Sequence, residues 1–224
     1  MGTEKTANRI AAKQIRHVNQ QLIKTGSVTG SDGFERRIFP VALSPPEGEA
    51  LRDWVSREAA VHTIEVGLAF GFSSLHICEG LVLNGHPEAR HVAIDPHQLT
   101  GFASSGLKVL QDAGGAYLVE YYAEGSEIVL PRFLKEGRCF DLAFVDGNHR
   151  FDAVFVDLFY LGRLIRRGGG VILDDYNLPG IRRAVSFFVT NLGWTVEETA
   201  DNRMVVLRTT TSPDARDFRF FAEF

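Results

Sequence analysis

Thr63-Ile64-Glu65-Val66-Gly67-Leu68-Ala69-Phe70-Gly71-Phe72-Ser73-Ser74 decides the fold. An apolar run over 61–66 contains an acid, a glycine follows two residues after it, and a second glycine comes four later. The chain then resumes as Ser-Ser-Leu-His-Ile-Cys, a helical pattern. The stretch reads as a buried strand, a glycine turn and a helix start. Such a turn lets backbone approach a nucleotide-like ligand closely, and the helix start offers free N–H groups. The spacing E-x-G-x-x-x-G is not the dinucleotide fingerprint G-x-G-x-x-G. Ala69 stands where that fingerprint has its second glycine, which disfavours a nicotinamide oxidoreductase.

Outward from this unit the pattern alternates. Strands are expected at 61–66, 90–94, 117–121, 140–145, 169–174, about 194–199 and 203–208. Helices are expected at 4–24, about 44–60, 73–84, 102–113, 126–136, 150–166 and 179–192. Ser44-Pro45-Pro46-Glu47 is a strong helix start: a capping serine, prolines in the first turn and an early acid. Alternation implies a doubly wound, mostly parallel α/β sheet. Only Thr199-Ala200-Asp201-Asn202 separates the last two strands, too short for a crossover helix, so they must form an antiparallel hairpin. Gly26 to Gly33 reads as a mobile loop. The expected organisation is therefore an N-terminal helix and loop over 1–44, acting as a lid or oligomer contact, and one domain over 45–224.

The totals exclude several classes. The 224 residues are 45% hydrophobic with a net charge of −4, and the pI is about 6.0. That argues against a nucleic-acid binder working through bulk charge. Cys78 and Cys139 lie far apart and form no metal pattern, so a reduced, cytoplasmic setting is expected. No apolar run reaches the ~18 residues of a membrane helix, and no signal peptide is visible. Met1-Gly2-Thr3-Glu4-Lys5-Thr6 matches the myristoylation pattern, but so few fixed positions carry no weight. Trp54 and Trp194 read as core. His62, His76, His86, His91 and His97 read as structural. The aromatic Phe218-Arg219-Phe220-Phe221 should dock on its own domain or on a partner subunit.

In open α/β sheets ligands sit beyond the carboxyl ends of the strands. The second strand of the alternating series ends at Asp95, where a carboxylate can accept from ribose hydroxyls or start a turn before Pro96. The third is followed by Glu124-Gly125-Ser126-Glu127-Ile128-Val129-Leu130-Pro131, in which Ser126 can also cap a helix. The fourth ends Asp146-Gly147-Asn148-His149 and the fifth ends Asp174-Asp175. Three carboxylates at adjacent strand ends repel unless something positive joins them, and Mg²⁺ or another hard divalent cation is the usual answer. Each Asp can instead cap a turn or helix. His149 titrates near neutrality and suits general-base work, or opens the next helix.

E-x-G-x-x-x-G-x-S resembles the first motif of class I S-adenosylmethionine-dependent methyltransferases. D-G-x-H … G-G-V-I-L-D-D resembles the metal-dependent small-molecule O-methyltransferases, the branch that includes macrolide-sugar and catechol-type enzymes. The resemblance spans about 45–208. It implies a Rossmann-like, seven-stranded, mostly parallel sheet ending in an antiparallel hairpin. It implies S-adenosylmethionine held by Glu65, Gly67, Gly71, Ser73, Asp95, Gly125, Ser126, Glu127 and Asp146, with Ser126 and Glu127 at the adenine. It implies a divalent cation on Asp146, Asp174 and Asp175, and His149 as general base. Catechol-type enzymes carry lysine where this chain has His149, and Asp-Asn where it has Asp174-Asp175. Both departures point to the sugar or natural-product branch. The expected activity is O-methylation of a small hydroxylated molecule. The alternatives are a nitrogen acceptor, or a non-catalytic binding or assembly module that keeps the fold.

Overall fold

The computed structural model describes residues 2–200 and 203–224. Asp201 and Asn202 of the expected hairpin turn, and Met1 of the myristoylation pattern, lie outside the described residues. In chain order the elements are α1 (Gly2–Thr25), β1 (Ser27–Thr29), β2 (Glu35–Arg37), α2 (Pro45–Arg57), β3 (His62–Val66), α3 (Phe72–Asn84), β4 (Arg90–Ile94), α4 (Ser105–Asp112), β5 (Val119–Tyr122), α5 (Ser126–Glu136), β6 (Phe140–Val145), α6 (Phe151–Leu164), β7 (Ile165–Leu173), α7 (Pro179–Leu192), β8 (Thr195–Ala200) and β9 (Met204–Arg208). Seven strands form one mixed sheet in the order β5-β4-β3-β6-β7-β9-β8. It is mostly parallel with antiparallel C-terminal strands, as the alternation requires. The chain divides into two compact units, up to Gly125 and from Ser126 onward.

In the first unit β3, β4 and β5 pair in parallel, with His62 opposite Arg90 and His91 opposite Val119. The Glu47 carboxylate accepts the Ser44 N–H at 2.8 Å, fixing the start of α2. Helix α3 is buried along most of its length because α1 and α2 both pack on it. A buried carboxylate ties these helices. Glu79 on α3 accepts from Arg16 of α1 at 2.8 and 2.5 Å, and Arg52 of α2 stands 3.9 Å away. One turn back, His76 lies edge-on to Phe72 with centroids 5.0 Å apart. Neither of its ring nitrogens has a hydrogen-bond partner among the described residues. Gly48 on α2 makes room for this ring, since a Cβ there would come within 2.4 Å of Nε2.

Within 26–33, expected as a mobile loop, Ser27–Thr29 form β1, which pairs antiparallel with β2, Ser27 opposite Arg37. Ser31 fastens its tip, donating through N–H and Oγ to the Ala103 carbonyl at 2.7 and 2.9 Å. Three-residue strands carry too few positions to show alternation.

In the second unit β6 pairs in parallel with β7, Val145 opposite Leu173. Strand β9 runs antiparallel to both β7 and β8. Phe133, Phe144, Phe188 and Trp194 fill its core. Trp194 rests where Gly162 has no side chain. The C-terminal tail docks on α7. Asn191 bonds both backbone groups of Ala222 at 2.9 and 2.8 Å, and Phe224 lies edge-on to Phe187. Among the described residues no helix is long and apolar enough to cross a membrane.

His76 sets a pH limit on the first unit. Burial foremost, then the Arg52 charge, pushes its pKa down from 6.5 to about 4. Protonation therefore favours the unfolded chain. This contribution to stability is complete above pH 6.5 and is lost as pH falls towards 4, by roughly 3 kcal/mol at most. Urea unfolding of His76→Phe should show a flatter stability profile between pH 6.5 and 4 than the wild type. Parallel profiles would show that the ring is not held neutral.

Candidate functional site

The glycine turn of the first unit is a clamped piece of backbone. Gly67 (φ 99°) leaves β3 and donates its N–H to Ile94 O at 2.9 Å. Gly71 (φ 78°) opens α3. A Cβ on Gly71 would meet Gly106 O at 2.8 Å, so the turn and the start of α4 touch through backbone. Between the glycines, Ala69 also takes a left-handed conformation, φ 43°. Its N–H donates to Asp95 Oδ2 at 2.8 Å, and its carbonyl accepts from Gln98 Nε2 at 2.6 Å. Asp95 further accepts the His97 N–H at 2.7 Å and Gln98 Nε2 at 3.0 Å. A carboxylate has about four lone-pair positions. Three therefore brace this turn, and about one is left for a ribose hydroxyl.

Glu65 is fully buried. Its oxygens accept from the hydroxyls of Ser73 and Ser74, and His91 Nε2 lies 3.2 Å away. Glu65 and Ser73 thus bind one another, locking the strand to the helix it feeds. Tyr121 of β5 donates its hydroxyl to Asp95 O at 2.7 Å. Gly125 ends the first unit.

The second unit opens with Ser126, the first residue of α5, and exposed Glu127. The Ser126 hydroxyl bonds the carboxylate of Asp157 on α6. Asp157 is buried, and burial pushes its pKa up to about 7.

The ends of β6 and β7 gather charge. The Asp174 N–H donates to Val145 O at 3.1 Å, which sets the two strand ends level. Asp146, His149 and Asp175 each offer a ligand atom, all within 4.8 Å of one another. His149 places Nε2 3.4 Å from Asp146 Oδ1 and Nδ1 3.2 Å from Asp175 Oδ2. Asp175 sits in a left-handed conformation, φ 52°, a strained geometry common at functional sites. Asp174 turns elsewhere: its oxygens accept from Arg203 at 3.3 and 3.2 Å, and Arg203 stands 3.5 Å from Asp175. The three expected carboxylates are therefore shared between an imidazole and a guanidinium.

This crowding moves pKa values. Burial pushes Asp146 up to about 7, against the His149 bond, and Asp174 adds to the rise. His149 is raised above 6.5, chiefly by its bond to Asp146. Burial also raises Asp174, with Arg203 opposing. The residues fit a divalent cation: two carboxylates and one imidazole stand close enough to share one. Magnesium takes oxygen ligands, and the imidazole extends the fit to manganese or zinc.

Three residues of these clusters escape a reading of the sequence alone. Arg203 sits on the far hairpin with nothing in its neighbours to mark it. Gln98 follows Asp95 by three residues, a turn spacing, but a lone glutamine carries no motif. Asp157 hides inside a helix among apolar residues.

Residues 64–176 match a family model described as a methyltransferase domain. A search of curated proteins finds no match. Among solved structures the chain is similar to the O-methyltransferase TomG from Streptomyces achromogenes, involved in tomaymycin synthesis and solved with S-adenosylmethionine. Identity is 25% and the TM-score 0.64, covering 77% of this chain and 82% of that one. It is also similar to cofactor-bound Rv0187 from MTB, at 20% identity and TM-score 0.67, covering 89% and 90%. An O-methyltransferase from Bacillus cereus, in complex with S-adenosylhomocysteine, matches at 17% identity and TM-score 0.66, covering 89% and 90%. The resemblance carried by the glycine turn is borne out.

The Asp146–His149 contact is checked by titrating histidine resonances in the metal-free protein. His149 should titrate above its ordinary value. Asp146→Asn removes the largest cause and should move that titration to lower pH. An unmoved titration would mean that the 3.4 Å contact does not form in solution.

Proposed function

This chain belongs to the methyltransferase-domain family, and from that premise we propose an S-adenosylmethionine-dependent O-methyltransferase acting on a small hydroxylated molecule. The grouping of Asp146, His149 and Asp175 at the ends of β6 and β7 carries the reading. Similarity to O-methyltransferases solved with S-adenosylmethionine or S-adenosylhomocysteine supports the cofactor.

The first unit would supply the cofactor cradle: the turn from Gly67 to Gly71, with Asp95 beneath it. Ser126 and Glu127 would meet the adenine. When bound, S-adenosylmethionine supplies an electrophilic methyl group, and a divalent cation lowers the pKa of an acceptor hydroxyl. The protein's own part is proton transfer. Asp175, 3.2 Å from Nδ1, orients the imidazole and favours the tautomer with its lone pair on Nε2. His149 takes the hydroxyl proton at Nε2, and neighbouring Asp146 stabilises the imidazolium that results. A hydroxyl needs such a base more than a neutral amine does, which favours oxygen over nitrogen.

Calorimetry should show S-adenosylhomocysteine binding with Kd near 1 μM or below, about −8 kcal/mol. A chelator should remove turnover and Mg²⁺ or Mn²⁺ should restore it. Asp146→Ala should lose the metal response. His149→Ala should cost ~10²–10⁴ in rate with cofactor affinity little changed. Binding of NADH in place of S-adenosylhomocysteine would sink the reading. Full turnover in excess chelator would remove the metal from it.

A further inference from the structure

Gln98 is fully buried, yet only half of its amide is used. Nε2 donates twice, to Ala69 O at 2.6 Å and Asp95 Oδ2 at 3.0 Å. Oε1 has no partner among the described residues. The amide cannot be turned over, because its oxygen would then face a carbonyl and a carboxylate, both acceptors. An apolar side chain of the same length would avoid burying an unpaired oxygen. The amide must therefore be there for its two donors. Oε1 points at Gly106, where a Cβ would stand 3.0 Å from it and 2.6 Å from Ala69 O.

Both donors end on one backbone unit. Asp95 holds the Ala69 N–H and Gln98 holds the Ala69 carbonyl, while Gln98 also fixes Asp95. Ala69 is the only non-glycine residue from 62 to 76 with positive φ. Alanine resists that conformation, whereas glycine does not. We propose that Gln98 is a positioning residue of the cofactor site, acting through Ala69: it clamps this peptide in the left-handed conformation that shapes the turn for the cofactor. The proposal rests on the cofactor reading above, but the clamp itself is a property of the ligand-free protein.

A two-residue cycle tests it. Gln98→Met keeps length and burial and removes both donors. Ala69→Gly removes the need for them. Hydrogen exchange of the amides over Leu68–Phe72 should accelerate ~10-fold or more in Gln98→Met. The S-adenosylhomocysteine Kd should rise ~10- to 100-fold, the loss of two hydrogen bonds. Ala69→Gly alone sets the reference against which the double variant is read. In the double variant exchange and Kd should both return most of the way. If Gln98→Met does not fold, the double variant should. A wild-type phenotype for Gln98→Met, or a double variant no better than Gln98→Met, overturns the proposal in favour of general packing. If the exchange cycle holds but the wild type binds no S-adenosylhomocysteine, the clamp stands and the cofactor reading falls.

Discussion

The bond from the Ala69 N–H to the Asp95 carboxylate, 2.8 Å long, is the constraint on which the first unit's site depends. A left-handed alanine costs about 1–2 kcal/mol. A hydrogen bond to a charged acceptor contributes roughly 1.5–3 kcal/mol, and with the Gln98 bond to the Ala69 carbonyl beside it the turn is held against that strain. With Gly67 and Gly71 also at positive φ, the backbone runs under the helix start without a side chain in the way. The contact at Gly71, where a Cβ would fall 2.8 Å from Gly106 O, leaves no room for any other residue. Asp95 is placed for this by β4, whose register puts Ile94 opposite Val66.

Charge, rather than backbone, organises the second unit's strand ends. Asp146, Asp174 and Asp175 would repel as bare carboxylates. Part of the answer is internal: the Arg203 guanidinium engages Asp174 and approaches Asp175. This leaves Asp146, half-buried and pushed up to about 7, facing the His149 imidazole at 3.4 Å. A proton would offset that charge, as would a cation on the proposed metal reading.

Where residues repeat a pattern, the sequence reading and the structure agree. The alternation over 61–208 yields the sheet, and the four-residue gap before 203 yields the terminal hairpin. The glycine spacing marks the turn because glycine has a local meaning. Gln98, Arg203 and Asp157 have none: each acts through a partner brought to it by the fold, Arg203 lying 29 residues beyond Asp174. The same logic hid the β1–β2 ladder, which is anchored by Ser31 on Ala103, 72 residues away. Asp95 was legible as a strand-end acid, but its engagement with Ala69, His97 and Gln98 was not. Pairings of that kind are set by tertiary geometry rather than by spacing.

The His149 geometry ties protons to cations. Its nitrogens face Asp146 and Asp175, the same groups that would ligate a cation. A cation bound through this imidazole requires it neutral, and it requires Asp146 ionised. Both conditions fail as pH falls, because both pKa values are raised by the mutual proximity of these groups and by burial. Protons and a divalent cation would therefore compete for one small space. Arg203 bears on that competition by neutralising Asp174 without occupying it. It lowers the net negative charge that would otherwise attract any cation, so that selection among cations falls to the donors of Asp146, His149 and Asp175. One of these donors is nitrogen, which weakens the advantage of magnesium over softer ions. On the proposed metal reading, the choice of cation would thus be coupled to the arginine beside the site as well as to the ligands themselves.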